Sequence, residues 1–86
     1  MKLLKFYSDT CAPCKAYSPL IDDVTEALNI EVLPINIIDN PNLTAAHRIR
    51  SIPALVSLND KGEALGSLVG TKTRAELTKW LEHSAV

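Results

Sequence analysis

Two hydrophobic rhythms alternate along this chain. Residues 2–7, KLLKFY, form a short apolar and aromatic run, and the polar residues Ser8, Asp9 and Thr10 follow it. The run reads as a strand, central in a sheet, and the polar triplet supplies turn chemistry and candidate helix caps, with Asp9 read first as a cap and otherwise as a nearby acid. From Cys11 to Leu28 the period changes. Tyr17, Leu20, Ile21, Val24, Ala27 and Leu28 recur at helical spacing and predict a helix with one face turned to a core. Pro13 suits its first turn, Pro19 is expected to kink it, and Asn29 to stop it.

The second half repeats the alternation. Residues 31–38, EVLPINII, predict a second strand, and Pro34 marks it as an edge strand or a bulge. Asn40 as cap and Pro41 at the first position open a helix whose apolar face is Leu43, Ala46 and Ile49. Residues 53–58, PALVSL, read as a third strand. The turn NDKG and a fourth strand, EALGSLVG, follow in hairpin order. Thr73 and Glu76 have the spacing of a capping box, and Leu77, Trp80 and Leu81 form the core face of a last helix.

The order β-α-β-α-β-β-α is that of an α/β protein. Right-handed crossovers predict that the first three strands run parallel and the fourth antiparallel. The expected fold is a four-stranded mixed sheet with three helices on its two faces, residues 1–86 forming a single domain. Cys11 then falls at the carboxyl end of the first strand and the amino end of the first helix, where open α/β sheets bind their ligands.

Composition narrows the function classes. Apolar residues make up 47% of the 86 residues, charged residues 22%, and the net charge is −1. No basic stripe speaks for nucleic acid. No apolar run approaches the ~18–20 residues that span a membrane, and the start lacks the long apolar run of a signal peptide. The expectation is a cytoplasmic protein, and nothing in the sequence demands more than a monomer.

The chemistry lies in SDTCAPCK, residues 8–15, which hold both cysteines. Zinc needs four ligands, and only His47 and His83 remain, distant in sequence and each on a predicted helix, where a surface histidine is the plainer reading. No metal site within one chain is expected; one shared between chains stays open. A structural staple across so short a loop restricts the unfolded chain little. A cytosolic disulfide is more often transient and catalytic than structural. Residues three apart share a helix face, so Cys11 and Cys14 can close a ring without unfolding the helix. The unpaired N–H groups and positive dipole end at the helix start favour the thiolate of Cys11, the reactive species. Cys14, one turn in, is expected to be more buried and to stay protonated longer. Cys11 attacks a partner's disulfide, and Cys14 then displaces the partner.

Taken together, CAPCK, Pro19, NIIDNP, RIRSIPAL and SLVG ending in Gly70 resemble, in this order, the motifs of the thioredoxin family. The resemblance implies a thioredoxin-like fold and a thiol–disulfide oxidoreductase: a protein disulfide reductase and electron donor with no cofactor beyond its redox-active disulfide. It implies a cis bond at Ile52-Pro53 facing the cysteines, and a substrate groove of Ala12, Pro13, Ile52, Pro53, Gly70 and Thr71, in which the Ile52 backbone pairs with an extended substrate. It implies a flavoprotein thioredoxin reductase as electron source and disulfide-containing targets such as ribonucleotide reductase. The chain also departs from the family. The usual amino-terminal strand and helix are missing, which makes it a minimal, glutaredoxin-sized version. Thr10 replaces the aromatic before the first cysteine. Lys5 stands where the family has a buried acid, and the family's paired lysine aligns with Pro34. Lys5 is a candidate for tuning the thiol pKa; the plainer alternative is a snorkelling side chain with its ammonium in solvent. Lys15 reads as a solvated helix charge, and Tyr7 and Tyr17 as packing residues. The alternative function, a glutathione-dependent thiol transferase of glutaredoxin type, is disfavoured by Pro13 before the second cysteine and by VGTKT, which lacks the paired glycines and acid that hold glutathione.

Overall fold

A computed structural model describes residues 1–84; the last two residues of the expected 1–86 domain lie outside the described residues. The elements are β1 (Lys2–Tyr7), α1 (Ala12–Ala27), β2 (Glu31–Asn36), α2 (Pro41–Ala46), β3 (Ala54–Leu58), β4 (Ala64–Val69) and α3 (Arg74–Ser84). The sheet order is β2-β1-β3-β4. β1 is therefore central, and Pro34 lies exposed on the edge strand β2, where its missing N–H leaves no ladder bond unmade.

The expectation of three parallel strands is corrected. β1 and β2 are parallel, but β3 is antiparallel to β1, and β4 antiparallel to β3. The connection from β2 to β3 holds one short helix, α2, and does not carry the chain back to the starting end of the sheet. β3 begins where β1 and β2 finish and runs the other way.

Strand alternation divides the core in two. Leu3 and Leu55 face α1 and α3, where Tyr17, Ile21, Val24, Leu77 and Leu81 cover them. Leu4, Phe6, Ala54 and Val56 face the other side, where Leu43, Ile49 and Ile52 pack on them. Helices thus lie on both faces of the sheet. Each fully buried large apolar side chain contributes roughly 1.5–3 kcal/mol.

Local chemistry sets the boundaries. β2 stops at Asn36, two residues before its apolar run ends, because the Asn36 side chain accepts a hydrogen bond from the Ile38 N–H (2.9 Å) and turns the chain. Ile38 is left exposed. α2 ends before Ile49, with Arg48 in the left-handed region (φ +56°). α1 runs through Pro19 to Ala27, and Asn29 follows it at φ +58°, as its stop signal predicts. The capping box of α3 forms: the Glu76 N–H donates to Thr73 Oγ1 (3.2 Å) and the Thr73 N–H donates to Glu76 Oε1 (3.1 Å). The Thr73 N–H, and after it the Thr73 hydroxyl, holds the Glu76 carboxyl below its usual range. The Tyr17 hydroxyl lies between α1 and the start of α3, and burial raises its pKa. The Lys72 backbone opposes that rise only in part, and the hydroxyl closes no full hydrogen bond.

Candidate active site

The sheet register gathers the site. Phe6 pairs with Ala54, and Ala54 with Val69, at one end of the sheet. Three segments leave that end side by side: the loop from β1 into α1, the residues ahead of β3, and those after β4. They carry the cysteines, Ile52-Pro53, and Gly70-Thr71. The Gly70 N–H donates to the Pro53 carbonyl (2.9 Å), which ties two of the segments together. Gly70 has φ +90°, a conformation that suits glycine. Ile52-Pro53 is cis. Pro53 is buried and lines one cavity with Cys14.

Cys11 and Cys14 form a disulfide with Cα atoms 5.2 Å apart. Cys11 is half-buried and Cys14 is 6% exposed, the expected asymmetry. Ala12 and Pro13, between them, are exposed. The cap of α1 is a finding that the sequence did not give away. It is Cys11 itself, whose Sγ accepts from the Cys14 N–H at 3.2 Å. Asp9, expected to cap, lies exposed in the preceding turn. This sulfur lies at the positive end of a sixteen-residue helix.

The remaining residues expected to form a groove sit as follows. The Ile52 side chain packs into the α2-side core, while its N–H and C=O make no hydrogen bond to any described residue. Thr71 is exposed. Behind the disulfide a cavity of about 300 Å³ opens between β1, α1 and the β2 edge, and Lys5, Cys14, Ser18, Pro34 and Pro53 are among its walls. Lys5 does not snorkel. Its side chain is 15% exposed, its ammonium donates to Ser18 Oγ (2.7 Å), and the Asp22 carboxylate stands 3.8 Å away. Lys15 and Asp9 are exposed at the rim, and Tyr7 is half-buried there. Ser18 was not singled out from sequence. Its one signal is position, four residues after Cys14 on the same helix face.

His47, expected at the surface, is half-buried with its ring 5.8 Å from that of Phe6. His83 is exposed on α3. Among the described residues no group of three or more His, Cys, Asp or Glu is placed to hold a metal ion. No helix among them is long and apolar enough to cross a membrane.

A cysteine pair closing a ring at a helix amino terminus, on the end of a mixed sheet, makes this chain a thiol–disulfide oxidoreductase. Comparison with known proteins agrees. The thioredoxin family model matches residues 1–83. Thioredoxin from Rickettsia felis is 34% identical over 84 residues, which cover 95% of this chain and 79% of the relative. Thioredoxin from Pyropia yezoensis is 35% identical over 81 residues, 92% of this chain and 75% of the relative. Among solved structures, a point mutant of thioredoxin from Halobacterium salinarum superposes with a TM-score of 0.89 at 29% identity, over 99% of this chain and 74% of that one. Thioredoxin 1 from Thermosipho africanus shares the fold over the full length of both chains, with a TM-score of 0.82 at 24% identity. The chain belongs to the thioredoxin family. Its Cys-Ala-Pro-Cys pair fits that reading and not the glutaredoxin one.

Proposed function

We propose that the protein is a cytoplasmic protein disulfide reductase, a single monomeric domain over residues 1–86, with Cys11 as attacking and Cys14 as resolving thiol. The Cys11 thiolate attacks one sulfur of a target disulfide. That S–S bond breaks, its second sulfur leaves as a thiolate and takes a proton from solvent, and a mixed disulfide with Cys11 remains. Cys14, deprotonated, attacks Cys11 Sγ. The target's remaining sulfur leaves reduced, and the Cys11–Cys14 ring closes. Two electrons pass to the target. A flavoprotein thioredoxin reductase returns them by the reverse exchange, and no further cofactor takes part. Family members generally work with such a reductase and with disulfide targets, and ribonucleotide reductase is the kind of target proposed here.

The observation that carries the reading is the Cys14 N–H aimed at Cys11 Sγ. It favours charge on the first sulfur and so sets which thiol attacks. The free N–H and C=O of Ile52 support a groove in which a target's extended chain adds as a short strand, bordered by Ala12, Pro13, Pro53, Gly70 and Thr71.

The test is reduction of insulin disulfides by the full chain, driven by a flavoprotein thioredoxin reductase. Cys11→Ser is expected to abolish turnover while leaving the fold intact by circular dichroism. Retained turnover removes the assignment of the attacking thiol. Turnover with glutathione alone, without the flavoprotein, overturns the choice of electron source.

A further inference from the structure

Lys5 is the cation drawn furthest into the active-site cavity. Strand alternation puts it on the α1 side of β1, beside Leu3's face and away from Leu4 and Phe6. There its stem lies against α1, and Ser18 Oγ fixes its ammonium at 2.7 Å. Ser18 is one helical turn from Cys14, and side chains at that spacing stand about 5–6 Å apart at their Cβ atoms. Lys5 and Cys14 line the same cavity. Its other walls include Phe6, Ile21, Pro34 and Pro53, which contribute no charge.

We propose that Lys5 is a positioning residue for the second thiol: its ammonium, tethered by Ser18, holds Cys14 as a thiolate after reduction, so that the mixed disulfide resolves without a general base. The inference rests on the dithiol reading above and deepens it. Burial by itself penalises a thiolate at Cys14, which is 6% exposed. A cation within about 4–6 Å opposes that penalty and lowers an acid's pKa by about 1–3 pH units. The neighbouring charges do not cancel it. Asp22 stands 3.8 Å from the ammonium but is itself 63% exposed and solvated. Asp9 and Lys15 are exposed, of opposite sign, at the rim, and Tyr7 is half-buried on the same strand. β2 contributes Pro34 and the segment ahead of β3 contributes Pro53, neither of them titratable.

The step balances without the ammonium giving up a proton. Cys14 loses its proton to water before attack. Its electron pair forms the bond to Cys11 Sγ, the bond from Cys11 to the target breaks, and the target thiolate takes a proton from solvent. Because the cation stabilises the reduced form over the disulfide, it also makes the couple a weaker reductant.

The experiment has two readouts that a packing role alone leaves in place. In a Cys11→Ser background the ultraviolet absorbance of the Cys14 thiolate is titrated against pH. In the two-cysteine protein the disulfide is equilibrated against glutathione. Lys5→Met is expected to raise the thiolate midpoint by about one pH unit or more. It is also expected to shift the equilibrium about tenfold toward the disulfide. Lys5→Arg keeps the charge and is expected to restore both, and Ser18→Ala to fall between. Should Lys5→Met fail to fold by circular dichroism, Lys5→Gln gives the same readouts. Unchanged midpoint and equilibrium in the neutral variants overturn the role of Lys5 while leaving the dithiol reading in place. Turnover that survives Cys11→Ser strikes the dithiol reading itself.

Discussion

At the end of the sheet where β3 turns into β4, backbone groups are paired almost as soon as they appear. Asn59 Oδ1 accepts from the N–H groups of Lys61 and Glu63 (2.9 Å each), and the Asn59 N–H donates to the Glu63 carbonyl. The terminal ammonium of Met1 reaches Asp60, and the Ile30 N–H closes α1 on the Thr25 carbonyl. The opposite end, ten or more ångströms along the strands (about 3.3 Å per residue), is finished differently. There a sulfur takes the place of a capping oxygen, the Ile52 backbone stays unpaired, and a cavity runs under the disulfide. One end closes the hairpin and holds the register. The other spends its polar groups on chemistry, because the first end and the two-sided core already hold the strands.

Breaking the support beneath the reactive end should have the largest effect. Phe6 is fully buried at the last core position of β1 and touches the His47 ring. Phe6→Ala is expected to cost about 3–5 kcal/mol in denaturant unfolding. A loss under about 1 kcal/mol would mean that the core does not carry the site end. Next comes Gly70, where an added Cβ meets no atom within 4 Å but the backbone is at φ +90°. Gly70→Ala is therefore expected to cost about 1–2 kcal/mol from conformation alone. It should also slow insulin reduction, because the bond to Pro53 moves with it. Smallest is Asn59→Ala, expected to cost about 1 kcal/mol by the same unfolding measurement and to leave insulin reduction unchanged. Equal effects of the last two substitutions on turnover would erase the distinction between the ends.

The elements and the chemistry were legible because they rest on local signals. Helical spacing from Tyr17 to Leu28, the Thr73–Glu76 pair, and two cysteines three apart are each readable within a turn or two. The direction of β3 was not. It depends on the path of the whole connection from β2 to β3, where the apolar positions continue to Ile49 although the helix ends at Ala46. A parallel β3 would put Pro53 at the end of the sheet away from the cysteines, so the expected meeting of Pro53 with Cys14 required the antiparallel strand that the structure has. Capping by Cys11 was hidden for a different reason. Ser8, Asp9 and Thr10 are all better cap residues by type, and only the turn geometry selects the cysteine. The Lys5–Ser18 contact joins residues thirteen apart in different elements, a pairing that no local pattern encodes.

Pro34 has a further effect through its place on β2. An outer strand usually offers a neighbouring molecule a continuous row of donors on which to template another strand, and filaments grow that way. Here the row is interrupted in the middle of the strand, level with Lys5. A second copy approaching along this flank finds no bonding partner at that rung, so self-association by strand addition is discouraged beside the cavity that holds Lys5.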